Sequence, residues 1–154
     1  MFTLGNTNLL KTKPIALFCS VKCPGDKILQ TYDQCMEWRK EGQSVISGFH
    51  SPMEKECLRI LLKGTQPVII SPARGIWKRI PREWKPHIEY GRMLIVSNFP
   101  PSVTRMTSQN AVVRNEFIIG LAERVYVAYA EQDGVIEKMV NKLQKTVKIM
   151  ERFL

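Results

Sequence analysis

Short uninterrupted apolar runs alternate with segments whose apolar residues recur every three or four positions, from residue 14 to the end of the chain. Pro14-Ile15-Ala16-Leu17-Phe18-Cys19 is continuous in the way of strands buried on both faces, and reads as a central first strand. Residues 24–41 follow with Ile28, Tyr32, Cys35, Met36 and Trp38 near helical spacing, and Gly42 stands where a left-handed C-terminal cap is needed. Val45-Ile46-Ser47-Gly48 is a second strand. Ser51-Pro52-Met53-Glu54 then combines a capping box with proline at the first helical position, opening a helix that runs to Lys63 and stops at Gly64. Pro67-Val68-Ile69-Ile70 predicts a third strand, residues 81–89 a short helix, and Met93-Leu94-Ile95-Val96 a fourth strand before a loop with Pro100 and Pro101. A helix from Ser108 through Leu121, a fifth strand over Val125-Tyr126-Val127-Ala128-Tyr129-Ala130 and one basic amphipathic helix complete the pattern.

Strand and helix in alternation predict an α/β, three-layer Rossmann-like fold, with a parallel sheet of about five strands and helices on both faces. Right-handed crossovers and the burial of the first strand favour the order 3-2-1-4-5. The last helix spaces Ile136, Val140, Leu143, Val147, Met150 and Leu154 by four and three. That stripe suits packing on the chain's own sheet, with a dimer seam as the alternative.

The 154 residues suffice for one domain, 1–154, that needs no disulfide or metal to stabilise its core. No apolar run reaches the roughly 18 residues of a membrane span, and the first residues lack the pattern of a secretory signal, so a cytoplasmic protein is expected. Cys19, Cys23, Cys35 and Cys57 have no paired spacing and no neighbouring histidine, which predicts reduced thiols and no metal site. A net charge of +9 favours a polyanionic partner.

In open parallel sheets ligands lie beyond the carboxyl ends of the strands. Four of the five predicted strands end in serine: Cys19-Ser20, Ser47-Gly48, Ser71-Pro72 and Ser97-Asn98. Small hydroxyl residues with glycine let a backbone approach phosphate closely, although serine also commonly ends strands and caps helices. Arg114 and Asn115 fall early in a helix whose N-terminus faces the same crevice, where an arginine can hold phosphate bidentately. Ser20, Lys22, Ser47, Gly48, Arg114 and Asn115 are therefore the candidate DNA or phosphate ligands. His50 and His87 lie in no nucleophile motif, paired acids are missing, and Walker A and G-x-G-x-x-G are absent. No catalytic residue and no cofactor is expected, and an ATPase or ordinary dehydrogenase is disfavoured.

These segments, in this order, resemble the DNA-processing protein A family (DprA, or Smf). Gly5-Asn6 with Leu9-Leu10 looks like the family's entry motif, Ile15 to Ser20 like its first strand and G-S-R loop, and Val45 to Gly48 like V-V-S-G. Gly91 to Ser97 with Pro100-Pro101 resembles G-x-x-x-S-E-x-P, and Arg114-Asn115 with Ile118, Gly120 and Leu121 resembles R-N-R-I-I-A-G-L. The G-S-R loop appears here as Cys19-Ser20-Val21, with Lys22 as the nearest charge, and the later family histidine position holds Leu58. The resemblance describes a divergent, minimal member without the sixth-strand region. It implies single-stranded DNA as partner, handover to a RecA-type recombinase during natural transformation, a homodimer, and no enzymatic activity. The alternative is a sensor of nucleotide derivatives or a related phosphoribohydrolase, whose P-G-G-x-G-T loop is not found here.

Overall fold

The computed structural model describes residues 1–143 and 150–152. Its strands are β1 (Phe2–Gly5), β2 (Ile15–Cys19), β3 (Val45–Ser47), β4 (Val68–Ile70), β5 (Met93–Ser97), β6 (Arg124–Tyr129) and β7 (Met150–Arg152). The helices are α1 (Gly25–Glu41), α2 (Pro52–Leu62), α3 (Lys85–Glu89), α4 (Ser108–Leu121) and α5 (Val135–Leu143), with 3-10 turns at Thr7–Lys11 and Arg82–Trp84.

The continuous apolar runs do form strands buried on both faces. Along β2, Ile15, Leu17 and Cys19 enter one core, while Ala16 and Phe18 enter the other. In β5, Met93 and Ile95 divide from Leu94 and Val96 in the same way, as the alternation of side chains along a strand requires. The first core lies under α1 and α2, where Trp38 meets Tyr126 edge-on at 5.0 Å between ring centroids. The second lies under α4 and α5 through Ile118, Val140 and Leu143. Three layers result, as expected from the sequence. The caps also match: Gly42 takes the left-handed conformation at φ 75° and closes α1 on the Trp38 carbonyl, and Ser51 with Glu54 forms the capping box of α2.

The strand order is corrected. The sheet runs β1-β5-β4-β3-β2-β6-β7, so the fourth predicted strand, β5, pairs with the third, β4, and not with the first. The reason lies in which face each connection covers. α1, α2 and the 76–88 segment all pack on the first core, and right-handed crossovers on one face carry the chain in one direction: β2, β3, β4, β5. α4 packs on the opposite face, so its crossover returns the chain to the free edge of β2, and α5 then carries it outward to β7. The first predicted strand, β2, is nonetheless interior, between β3 and β6.

Two edge strands were not anticipated. β1 pairs antiparallel with β5, Phe2 opposite Ser97. All four of its residues are exposed. β7 pairs parallel with β6, Val125 opposite Met150. The single C-terminal helix expected from the apolar spacing is therefore wrong at Met150, which belongs to a strand, and a sixth parallel strand is present where none was expected. Val147 and Leu154 of the predicted stripe lie outside the described residues, whereas Val140 and Leu143 pack on the chain's own sheet.

Candidate nucleic-acid interface

β2 lies between β3, reached over one face, and β6, reached over the other, so the sheet has its topological switch at the carboxyl end of β2. A crevice of about 230 Å³ opens there, between the loop after β2 (Ser20, Val21), the start of α2 (His50, Ser51, Glu54), α4 (Arg114, Asn115) and the loop after β6 (Glu131, Gly134). The pairing of β2 with β6 shifts register between Phe18 and Cys19, and such a bulge re-aims the strand end toward the crevice.

Glu54 organises the floor. Its Oε2 accepts the Cys19 N–H at 2.9 Å, and its Oε1 accepts the N–H groups of His50 at 3.0 Å and Ser51 at 3.2 Å. The amides that a strand-end loop and a helix start would otherwise offer to an incoming anion thus face the protein's own carboxylate. Sequence reasoning found the capping box but not this reach of 35 residues to Cys19. Only the spacing of Ser51 and Glu54 pointed toward it.

Arg114 lies behind this carboxylate, 7% exposed. Its Nε donates to Asn115 Oδ1 at 2.8 Å and its Nη1 to the Ser71 carbonyl at 3.2 Å. Its guanidinium is layered on Gly48, where a Cβ would stand 2.6 Å from Cζ. Burial pulls its pKa below the usual arginine value, and the Glu54 charge opposes that shift. The cation is retained by these partners while contributing positive potential to the crevice wall.

The other predicted ligands divide. Ser20 lines the crevice, and its Oγ accepts the Glu131 N–H at 2.8 Å, tying the loops after β2 and β6 together. Asn115 lines it too. Ser47 is buried beneath, its Oγ accepting the Phe49 N–H at 3.1 Å, and Gly48 supplies the space that Arg114 fills. Lys22 is exposed on the loop after β2, outside the crevice lining. Of the remaining strand-end serines, Ser97 shapes the next loop by donating to the Arg74 carbonyl at 2.6 Å and accepting the Phe99 N–H at 3.0 Å. Ser71 is buried with no hydrogen-bond partner for its Oγ.

All four cysteines are free thiols. Burial first, then the neighbouring Cys23, pushes the Cys19 thiol up, and Cys57 is pushed up chiefly by its hydrogen bond with Cys35. Among the described residues no cluster of His, Cys, Asp and Glu could hold a metal ion, and no helix is long and apolar enough to cross a membrane. A larger groove of about 460 Å³ between α4 and α5, lined by Val112, Ile119, Met139 and Leu143 with Glu116, Lys138 and Lys142 around them, adjoins the crevice through Asn115 and Val135.

An open, mostly parallel sheet with a crevice at its switch point defines a Rossmann-like fold. The sequence profile of the DNA recombination-mediator protein A family matches residues 1–149, and the chain belongs to that family. The structure is similar to DNA processing protein A from Streptococcus pneumoniae, with a TM-score of 0.78 and 19% identity over 98% of this chain and 53% of that one. It is also similar to DNA processing protein A from Helicobacter pylori, described for its single-stranded DNA binding mode, with a TM-score of 0.77 and 19% identity over 97% of this chain and 69% of that one. The molybdenum cofactor binding protein of Rippkaea orientalis shares the fold more distantly, with a TM-score of 0.57 and 10% identity over 91% of this chain and 76% of that one. No curated protein sequence matches the chain. The chain spans about half the length of the Streptococcus pneumoniae protein, 53%.

Proposed function

We propose that this protein binds single-stranded DNA along the carboxyl end of its sheet and hands it to a RecA-type recombinase in DNA-mediated transformation and recombination. The observation that carries the reading is the family match over residues 1–149. A net charge of +9 and the crevice at the switch point support it. Beside the crevice, exposed Lys22 on the loop after β2 makes a direct phosphate contact, while within it Ser20 and Asn115 offer short polar side chains and buried Arg114 lends positive potential. Ser47 and Gly48 act by shaping the loop that holds Arg114. The role is binding in the cytoplasm, as a homodimer, without a catalytic step and without a cofactor. Glu54 is the acid nearest His50 in sequence, and it commits both oxygens to backbone N–H groups instead of orienting an imidazole.

The test is fluorescence anisotropy of labelled oligonucleotides of two lengths across a salt series, beside a labelled mononucleotide. Binding that strengthens with length and weakens steeply with salt is expected. Saturation by a mononucleotide with no gain from length would replace this reading with the nucleotide sensor, and absence of binding at low salt would remove it.

A further inference from the structure

The segment from Arg74 to Lys85 carries five Lys and Arg residues against the single acid Glu83, and two of the chain's three tryptophans. Its net charge of +4 is nearly half of the chain's +9, concentrated in twelve residues. Lys78, Arg79, Arg82 and Lys85 are exposed, while Arg74, Trp77 and Trp84 are half-buried. The guanidinium of Arg74 is stacked over Trp77, its Cζ 5.6 Å from the ring centroid, and Trp84 braces Trp77 edge-on at 5.6 Å. Packing on the core accounts for the inner edges of the two rings. It does not account for a guanidinium layered on an indole in a segment that carries four exposed cations.

The segment begins at the end of the sheet where the crevice opens. Arg114 donates to the Ser71 carbonyl, and the Arg74 carbonyl accepts from Ser97 at the end of β5. β4 lies two strands from β2, about 10 Å at the usual strand spacing, a gap that a few nucleotides bridge. None of residues 74–85 lines the crevice.

We propose that Arg74 and Trp77, braced by Trp84, form a base-stacking platform on which single-stranded DNA continues after leaving the crevice, with Lys78, Arg79, Arg82 and Lys85 following its phosphates. Planar guanidinium and indole groups accept any base face, and the surrounding cations match a polyanion, so contact is independent of sequence. This inference rests on the single-stranded-DNA reading of the crevice and adds a second, separable surface to it.

The experiment compares the parent, a Lys78→Glu/Arg79→Glu double variant, Trp77→Leu and Trp77→Phe in anisotropy titrations. The probes are a short oligothymidylate, a long one, and a long one with abasic residues in place of the central nucleotides. Charge reversal at two exposed residues leaves the core untouched, and urea midpoints check each fold. The double variant is expected to bind the long strand about tenfold more weakly while matching the parent on the short one. The parent should prefer the intact long strand to the abasic one. Trp77→Leu should abolish that preference and Trp77→Phe should keep it. If the parent binds the long strand and the variants bind it equally well, the platform is overturned while the crevice reading stands, and an acidic protein becomes the occupant of the cationic face. Equal parent affinity for intact and abasic strands overturns stacking. A parent that binds no strand at all overturns the crevice reading, and the platform with it.

Discussion

The guanidinium of Arg114 occupies the space that a side chain at Gly48 would need: a Cβ there would stand 2.6 Å from Arg114 Cζ and overlap Nη1. The glycine of β3's loop and the arginine of α4 are therefore one unit, joined across the mouth of the sheet. Gly48→Ala is expected to push the guanidinium off the Ser71 carbonyl, losing a buried charged hydrogen bond at a cost of about 1–3 kcal/mol. Urea unfolding beside the parent measures this. An unchanged midpoint would mean that Arg114 is not held by its bond to Ser71.

Glu54 gathers three backbone N–H groups from two segments, Cys19 from one and His50 with Ser51 from the other. Glu54→Gln turns one of those accepting oxygens into an amide NH2 that can only donate toward an N–H group, and removes the negative charge opposite Arg114. A loss of about 1–3 kcal/mol in unfolding free energy is expected. A variant as stable as the parent would show that the amides find other partners at no cost.

His87 gives the fold an acid-sensitive point. Its Nδ1 meets Arg92 Nη1 at 3.0 Å, and Arg92 also donates to the carbonyls of Leu61, Leu62 and Gln66. Burial first, then the Arg92 charge, holds the His87 pKa below its usual value. The unfolded chain takes up this proton near pH 6.5 and the folded one only at lower pH, so the unfolded state binds more protons in that window. Stability from the neutral imidazole is complete above about pH 6.5 and is lost as pH falls through the depressed folded pKa. Thermal melts at pH 7.5 and pH 5 should show a smaller acid-induced drop in His87→Gln than in the parent. Equal drops would place the sensitivity elsewhere.

Cys23 is half-buried, while Cys19, Cys35 and Cys57 are buried. Burial also raises the Cys23 pKa, which lowers its thiolate fraction at neutral pH. Native protein should therefore show one slowly reacting thiol toward a chromogenic disulfide reagent, and four in denaturant. Several fast thiols in the native state would contradict the packing of Cys35 and Cys57 between α1 and α2.

What the sequence made legible followed from local physics. The run Ile15 to Cys19 had to be a two-faced strand, and Ser51-Pro52 had to start a helix. Strand order was another matter, because it depends on which face each connection covers, and that is decided by contacts such as Ile88 on one core and Ile118 on the other. β1 escaped because four exposed residues carry no burial pattern, and β7 because Met150 continued an apolar spacing that fits a helix equally well. In the site, Arg114 and Asn115 were expected early in a helix, whereas they lie midway along α4, and the inward turn of Arg114 onto Gly48 is encoded by no spacing. Arg74 and Trp77 stand three apart in a loop without periodicity, so their stacking emerged only from the fold.

Lys22 and Arg114 are expected to contribute to DNA binding in different ways, which separates contact from potential. Lys22 is exposed on the loop after β2, so Lys22→Ala removes a cation without disturbing packing. If it neutralises one phosphate, affinity should fall on every sequence alike, and the slope of log affinity against log salt should flatten by about 0.7 for a single strand. Arg114 is buried and already engaged by Ser71 and Asn115. Arg114→Ala should weaken binding while leaving the salt slope close to the parent's, and should lower the urea midpoint because its partners lose a donor. Both variants are measured with one labelled oligonucleotide over a salt series, with urea unfolding alongside. A parent-like slope and affinity for Lys22→Ala would remove it from the phosphate path. A slope flattened by Arg114→Ala would mean that its guanidinium leaves Gly48 and reaches the strand directly.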